Sequence, residues 1–254
     1  MRLTVIGCAG SYPGPESPAS CYLVEAPYAG RTFRLLIDLG NGALGPLQRY
    51  VGLDEIDAIA VSHLHPDHYM DVCGMYVYRR YVTGGPLPRI PTWGPTGSAD
   101  RFALAYDLPL DPGMSEVLDV STWVDGVAVE LGPFTVTPHL MDHPVEAYAL
   151  RVEAGGAVLT YSGDTGPTPA LVEAARDADL FLCEASFTDN PLNPPHLHLT
   201  GTDAGEAATG AGVGRLLLTH IPAWTDRDLI AAEAKAAFTG PSELAEAGAV
   251  YEVG

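Results

Sequence analysis

The sequence predicts a layered α/β fold, an αββα sandwich of two β-sheets with helices on both outer faces. Three observations predict it. The elements run in the order strands, helices, strands, helices, which suits two packed sheets flanked by helices. The β-prone runs are short and punctuated by turn residues, with 28 Gly and 22 Pro in 254 residues. No low-complexity linker or short repeat divides the chain, so residues 1–254 read as one domain, long enough to bury a substantial core. A composition of 47% hydrophobic and 18% charged residues excludes a disordered chain.

Element by element, residues 2–7, 20–26 and 32–38 are β-prone runs separated by Gly/Pro-rich turns. A helix-like stretch follows at 43–51, and DAIAVS at 57–62 is a continuous apolar run that reads as a buried strand. The polar loop 63–68 leads into a helix-like stretch that ends near Tyr81. Segments 127–131, 133–139, 145–153 and 156–162 again read as strands. A helix is expected at 168–176 and a buried strand at 179–183. Residues 203–211 suggest a helix, RLLLT at 215–219 a strand, 226–238 an Ala-rich helix and 249–253 a last strand.

Charge and composition exclude several classes of function. The chain carries 32 acids against 13 bases, a net charge of −19. Polyanions bind through counterion release onto Lys and Arg, so a large nucleic-acid footprint is disfavoured. A small substrate held by metal ions suffers much less, because bound cations dominate the local field. No apolar run approaches the about 18 residues of a membrane span, and MRLTVIG is too brief for a secretory leader; a cytoplasmic location is expected. Cys8, Cys21, Cys73 and Cys183 form no CxxC pair and are expected to be reduced.

The densest chemical signal is His63-Leu64-His65-Pro66-Asp67-His68, four ligand types in six residues at the end of a strand. In extended chain, side chains at i and i+2 share a side, so His63 and His65 can grip one ion. Past the turn at Pro66, Asp67 and His68 can reach a second. Imidazole and carboxylate donors suit zinc.

HxHxDH after a hydrophobic strand resembles the metallo-β-lactamase superfamily, and the likeness extends over essentially the whole chain. LLIDLGNG, with Asp38, is similar to that superfamily's first motif, whose Asp orients the metal loop. MDHPVEAYALRV, VLTYSGDTG and RLLLTHIP resemble the motifs of the third histidine, the bridging aspartate and the last histidine. The resemblance implies a four-layer metallo-β-lactamase sandwich holding two Zn²⁺, with Mn²⁺ an alternative. The first ion would take His63, His65 and His143, the second Asp67, His68 and His220, with Asp164 bridging. His139, four positions before His143, is the rival for the third histidine.

LCEASF, with Glu184, and HLHLTGTDAGEAA, with His198, resemble the ribonuclease Z-like branch. There such a pair relays a proton, so Glu184 would orient His198, which would protonate a departing 3′ oxygen, while Asp67 would orient the attacking water. His196 is the rival donor. The likeness to tRNA-processing ribonuclease Z is incomplete. GSYPGPESPAS replaces its basic loop, THIPAWTDRD departs from its last motif, and only 20 residues separate His143 from Asp164, too few for a tRNA-holding arm. The opening GCAGSYPGPESPAS and the run from CEASFT to LLLTHIPAWT are closest to compact actinobacterial cyclic-nucleotide phosphodiesterases, relatives of the class II enzymes.

The expected activity is therefore hydrolysis of a small phosphodiester, foremost a 3′,5′-cyclic nucleotide, to the 5′-nucleotide. Transfer-RNA 3′ processing, thioester or lactone hydrolysis and a non-catalytic metal scaffold stand as alternatives. The sequence admits a homodimer and favours neither nucleic acid nor membrane as partner. Trp224, four residues past His220, is the best placed of Trp93, Trp123 and Trp224 to stack on a base; packing is the plainer role for each.

Overall fold

The computed structural model describes residues 1–254. The first sheet takes β1 (Arg2–Gly7), β2 (Cys21–Tyr28), β3 (Arg31–Ile37), β4 (Ala58–Ala60), β5 (Ile90–Gly94) and β6 (Leu118–Thr122). The second takes β7 (Val129–Leu131), β8 (Phe134–Leu140), β9 (Tyr148–Ala154), β10 (Ala157–Tyr161), β11 (Leu180–Glu184), β12 (Leu216–Thr219) and β13 (Ser242–Leu244). A last strand, β14 (Val250–Glu252), returns to pair with β1. Strands β3 to β6 run parallel, as do β10 to β13.

Parallel neighbours need crossovers, and helices supply them. On the first sheet these are α1 (Leu44–Leu47), α2 (Pro66–Tyr69), α3 (Val72–Tyr81) and α4 (Ser98–Ala105); on the second, α5 (Pro169–Ala174), α6 (Gly201–Ala211) and α7 (Arg227–Ala237).

Three separate apolar cores mark the four layers. Tyr22, Val24, Leu35 and Ile37 meet Phe134, Leu150, Leu159 and Leu182 between the sheets. Leu23, Leu36 and Ile59 turn the other way onto Val72, Met75 and Phe102. Phe181, Leu216 and Leu218 turn outward onto Leu171, Ala204, Ala208 and Ile230. Side chains of a strand alternate between faces, and here both faces are covered. That is why these strands read as unbroken apolar runs.

The expected elements are present with shifted ends. The helix expected at 43–51 shrinks to Leu44–Leu47, and past it the chain tightens into turns whose bonds close three residues back, Arg49 N to Pro46 O and Tyr50 N to Leu47 O. Between β9 and β10 the chain reverses on Gly155 and Gly156, at φ of 61° and 86°, a pair of left-handed residues that a two-residue hairpin turn demands. The segment between His143 and Asp164 is thus this one hairpin. β5, α4 and β6 lie where the sequence pattern assigns no element. β5 carries Pro91, and its pairing with β4 and β6 is long-range, so local pattern reveals little of it. All four cysteines are free, and no helix is long and apolar enough to cross a membrane.

Candidate active site

The site gathers at the carboxyl ends of the parallel strands. Asp38 follows β3, the 63–68 loop follows β4, Asp164 follows β10, Glu184 ends β11 and His220 follows β12. Open α/β sheets use this edge because strand ends leave side chains and loops free to converge. Close backbone approach locks the loops together. Leu39 N–H donates to the His68 carbonyl at 2.8 Å, and a Cβ on Gly40 would lie 1.9 Å from the Asp67 carbonyl oxygen. Only glycine fits there.

The structure brings the predicted ligands together in two groups that share an edge. Ligand atoms of His63, His65, His143 and Asp164 lie within 4.8 Å of one another, as do those of Asp67, His68 and His220. Asp164 stands between the groups. Its Oδ2 is 3.5 Å from both His63 Nε2 and His220 Nε2, and its Oδ1 is 3.3 Å from His68 Nε2. His139 lies elsewhere, on β8 opposite Ala149. Of the two candidates it is His143 that joins the cluster.

Outer partners set which nitrogen faces inward. His143 Nδ1 donates to the Leu197 carbonyl at 2.9 Å, which leaves Nε2 a bare lone pair aimed at the cluster. His68 Nδ1 is 2.7 Å from Asp38 Oδ2, and His220 Nδ1 is 2.9 Å from Ser186 Oγ. Asp38 also accepts from Ser62 N, Ser62 Oγ and the Tyr161 hydroxyl, so it is a buried, fully bonded post for the metal loop. Ser62, Tyr161 and Ser186 carry no motif of their own. The signal available for the two serines is adjacency, Ser62 beside His63 and Ser186 two residues past Glu184.

These residues fit divalent cations. Asp164 Oδ1 is buried without a hydrogen-bond donor, and lone-pair nitrogens crowd together, His68 Nε2 being 3.2 Å from His220 Nε2 and His143 Nε2 3.2 Å from His65 Nδ1. Unpaired donors that converge in a buried space are costly unless something positive lies among them. Electrostatics divide the imidazoles. Burial lowers His68, yet the Asp164, Asp67 and Asp38 carboxylates hold it well above its ordinary range. Burial pushes the His63, His65 and His143 imidazoles below their ordinary range, toward the neutral form that binds metal. Burial would raise the Asp67 and Asp164 carboxyls, yet the surrounding imidazoles hold both well below the usual carboxylate range.

Beside the cluster, His198 Nδ1 sits 2.9 Å from Glu184 Oε1 and 3.9 Å from Asp164 Oδ2. Glu184 is fully buried and accepts from Thr165 N, Ser186 N and Ser186 Oγ besides. Burial pushes His198 down, but the Glu184 carboxylate more than offsets this and lifts it to about 9. His196, the rival, is 72% exposed and pairs with Asp142. The geometry therefore couples Glu184 to His198 and not to His196.

Comparison with known proteins places this architecture. The sequence model of the beta-lactamase superfamily domain matches residues 33–221. The chain belongs to this superfamily. A Mycobacterium tuberculosis protein without an assigned function is 46% identical over the whole chain and 92% of its own length. The probable metallo-hydrolase YhfI of Bacillus subtilis is 31% identical, covering 99% of this chain and all of YhfI. The crystal structure of YhfI superposes with a TM-score of 0.87 over 98% of both chains. A ribonuclease Z of Myxococcus xanthus is 27% identical over the full chain and 98% of its own. This superfamily member is a metal-dependent hydrolase of the ribonuclease Z-like kind, with a His/Asp cluster compatible with metal.

Proposed function

We propose that this hydrolase is a dinuclear zinc phosphodiesterase that opens a small 3′,5′-cyclic nucleotide, foremost cyclic AMP, to the 5′-nucleotide. The observation that carries this reading is the Glu184–His198 pair, poised beside the His/Asp cluster to protonate an alkoxide leaving group. Two features favour a small substrate. A single hairpin fills the interval between His143 and Asp164, so no arm is present there to hold a folded RNA. And Arg2, Arg31, Arg34, Arg80, Arg89, Arg151, Arg176 and Arg215 are all ion-paired with the chain's own carboxylates, leaving few free cations for a polyanion.

His63, His65 and His143 would hold one ion and Asp67, His68 and His220 the other, with Asp164 between them. When bound, the two ions supply Lewis-acid stabilisation of the phosphoryl oxygens and an acidified water as nucleophile. Asp67 orients that water for in-line attack. His198, whose Nδ1–H is spent on Glu184, delivers the Nε2 proton to the departing 3′ oxygen. Glu184 keeps the imidazole charged and correctly turned.

That last role has a pH signature. The raised His198 is in its acid form below about 9 and loses it above. Glu184→Gln removes the charge that lifts it, so the alkaline limb of the kcat/KM profile should move to lower pH. An unmoved limb, with metal content unchanged, would remove Glu184 from the relay.

Substrate class is tested with one turnover panel of cyclic AMP, bis(p-nitrophenyl) phosphate, a tRNA precursor and a thioester at two salt concentrations. Cyclic AMP should turn over, with little change between about 50 and 200 mM salt, whereas RNA binding over the same span weakens steeply. Cleavage of the tRNA precursor with cyclic AMP inert would instead establish 3′ processing, the activity named for the Myxococcus relative.

A further inference from the structure

A cleft of about 250 Å³ opens on the outer side of His220 and His198, lined by Ser186, Phe187, Asn193, Trp224, Thr225 and Asp226 among others. Its inner wall backs onto two imidazoles of the site. Ser186 Oγ is 2.9 Å from His220 Nδ1, and the Phe187 ring stands edge-on to His198 with centroids 5.1 Å apart. Its outer wall is the indole of Trp224.

The three tryptophans differ sharply. Trp93 and Trp123 stack on each other, and Trp123 is buried with its Nε1–H donating to the Val61 carbonyl. Trp224 is 65% exposed, a large apolar surface left in water. Tyr12 covers part of it, with ring centroids 5.2 Å apart and planes tilted by 36°, and Tyr12 does not border the cleft. The loops that carry both rings are pinned to the metal cluster. Ala9 bridges to Ile221, Ser11 N lies 3.4 Å from His220 Nε2, and a Cβ on Gly10 would meet the His220 carbonyl oxygen at 2.3 Å. The result is a firmly held aromatic wall facing a cleft one residue away from the histidines.

The polar edges of the cleft point to one kind of occupant. Asn193 Nδ2 donates one N–H to the Thr188 carbonyl, which leaves its second N–H and its Oδ1 without a protein partner. Asp226 uses Oδ1 to cap α7 through Asp228 N and Leu229 N, leaving Oδ2 open. The Asp226 oxygen can only accept a hydrogen bond, whereas the Asn193 amide can accept or donate.

We propose that Trp224, backed by Tyr12, stacks on the nucleobase of the substrate, and that Asp226 selects bases bearing an exocyclic amine. The proposal rests on the phosphodiesterase reading above and names the substrate group that reading leaves open. Stacking tolerates any flat base, whereas the Asp226 carboxylate rewards an amine and offers a carbonyl-edged base no donor.

The test is calorimetric binding to the metal-loaded protein, which needs no turnover. The probes are adenosine 5′-monophosphate, inosine 5′-monophosphate and ribose 5-phosphate. Adenosine 5′-monophosphate should bind tighter than its inosine analogue, which stacks equally but lacks the amine. Trp224→Ala should weaken adenosine monophosphate by about five- to hundredfold, Trp224→Phe should retain most of the affinity, and ribose 5-phosphate should be indifferent to both. Equal affinity of Trp224→Ala and the unaltered protein for adenosine monophosphate would overturn the stacking role, as would parallel losses for ribose 5-phosphate. Equal affinities for the adenosine and inosine nucleotides would overturn the selection. Should cyclic AMP be inert while adenosine monophosphate still depends on Trp224, the phosphodiesterase reading fails and this one stands. Turnover of cyclic AMP with Trp224 irrelevant to binding gives the converse.

Discussion

His198→Ala is expected to lower phosphodiester turnover by about 10²–10⁴-fold while both metal ions stay bound, the range a well-placed general acid contributes. The expectation follows from how the ring is held. Its Nδ1 is committed to Glu184 at 2.9 Å, and Glu184 is itself fixed by Thr165 N and Ser186. The ring therefore has one free nitrogen, 11% of the side chain is exposed, and the pair adjoins Asp164. A leaving alkoxide is a strong base, and without a donor it must depart unprotonated or wait for water. The loss should be smaller for bis(p-nitrophenyl) phosphate, whose p-nitrophenolate leaves readily without a proton. Elemental analysis distinguishes the competing role. His198 can also form a ligand group with Asp164 and His220, so a variant that loses metal along with turnover would make His198 a ligand. His196→Ala serves as the control, and it should leave turnover nearly intact because that side chain is 72% exposed and tied to Asp142.

Asp164→Ala is expected to act one step earlier, on the metal content itself. Asp164 is 2% exposed, lies within 3.5 Å of His63, His68 and His220, and has one oxygen without any donor. Removing it deletes the carboxylate that lies against imidazoles of both ligand groups and leaves buried imidazoles facing one another. Loss of an outer partner alone costs about 10–100-fold in metal affinity, and loss of this inner carboxylate should cost more. Metal per chain, measured by elemental analysis after dialysis, should fall below two, and turnover should fall with it. The melting temperature should become insensitive to added zinc, because a ligand that no longer binds the folded state no longer stabilises it. Full occupancy in this variant would refute the placement of Asp164 between the ions.

Much of this site was readable from local sequence. The 63–68 segment announces itself because four donors in six residues need only an extended stretch and a proline turn to share a face. Asp164 and His220 were legible through the resemblance of VLTYSGDTG and RLLLTHIP to the superfamily's motifs, helped by the mostly apolar runs before them, which is how buried parallel strands look. The layered fold followed from the same runs. What local pattern hid was anything made by pairing across long chain separations. β5, α4 and β6 went unseen because their short strands gain their stability from neighbours far away in sequence. The sequence favoured His143 over His139 and His198 over His196 by motif likeness, and the fold supplies the physical reason. Each rival pair sits two to four residues apart with equal chemistry, and only the course of the backbone turns one ring inward and leaves the other on β8 or in solvent. The Tyr12–Trp224 wall belongs to the same class. Its rings are 212 positions apart in the numbering of the chain, and contacts such as the bridge between Ala9 and Ile221 make them neighbours. Residue type and spacing carry the chemistry of a site, while its selectivity rests on contacts that exist only once distant strands have closed.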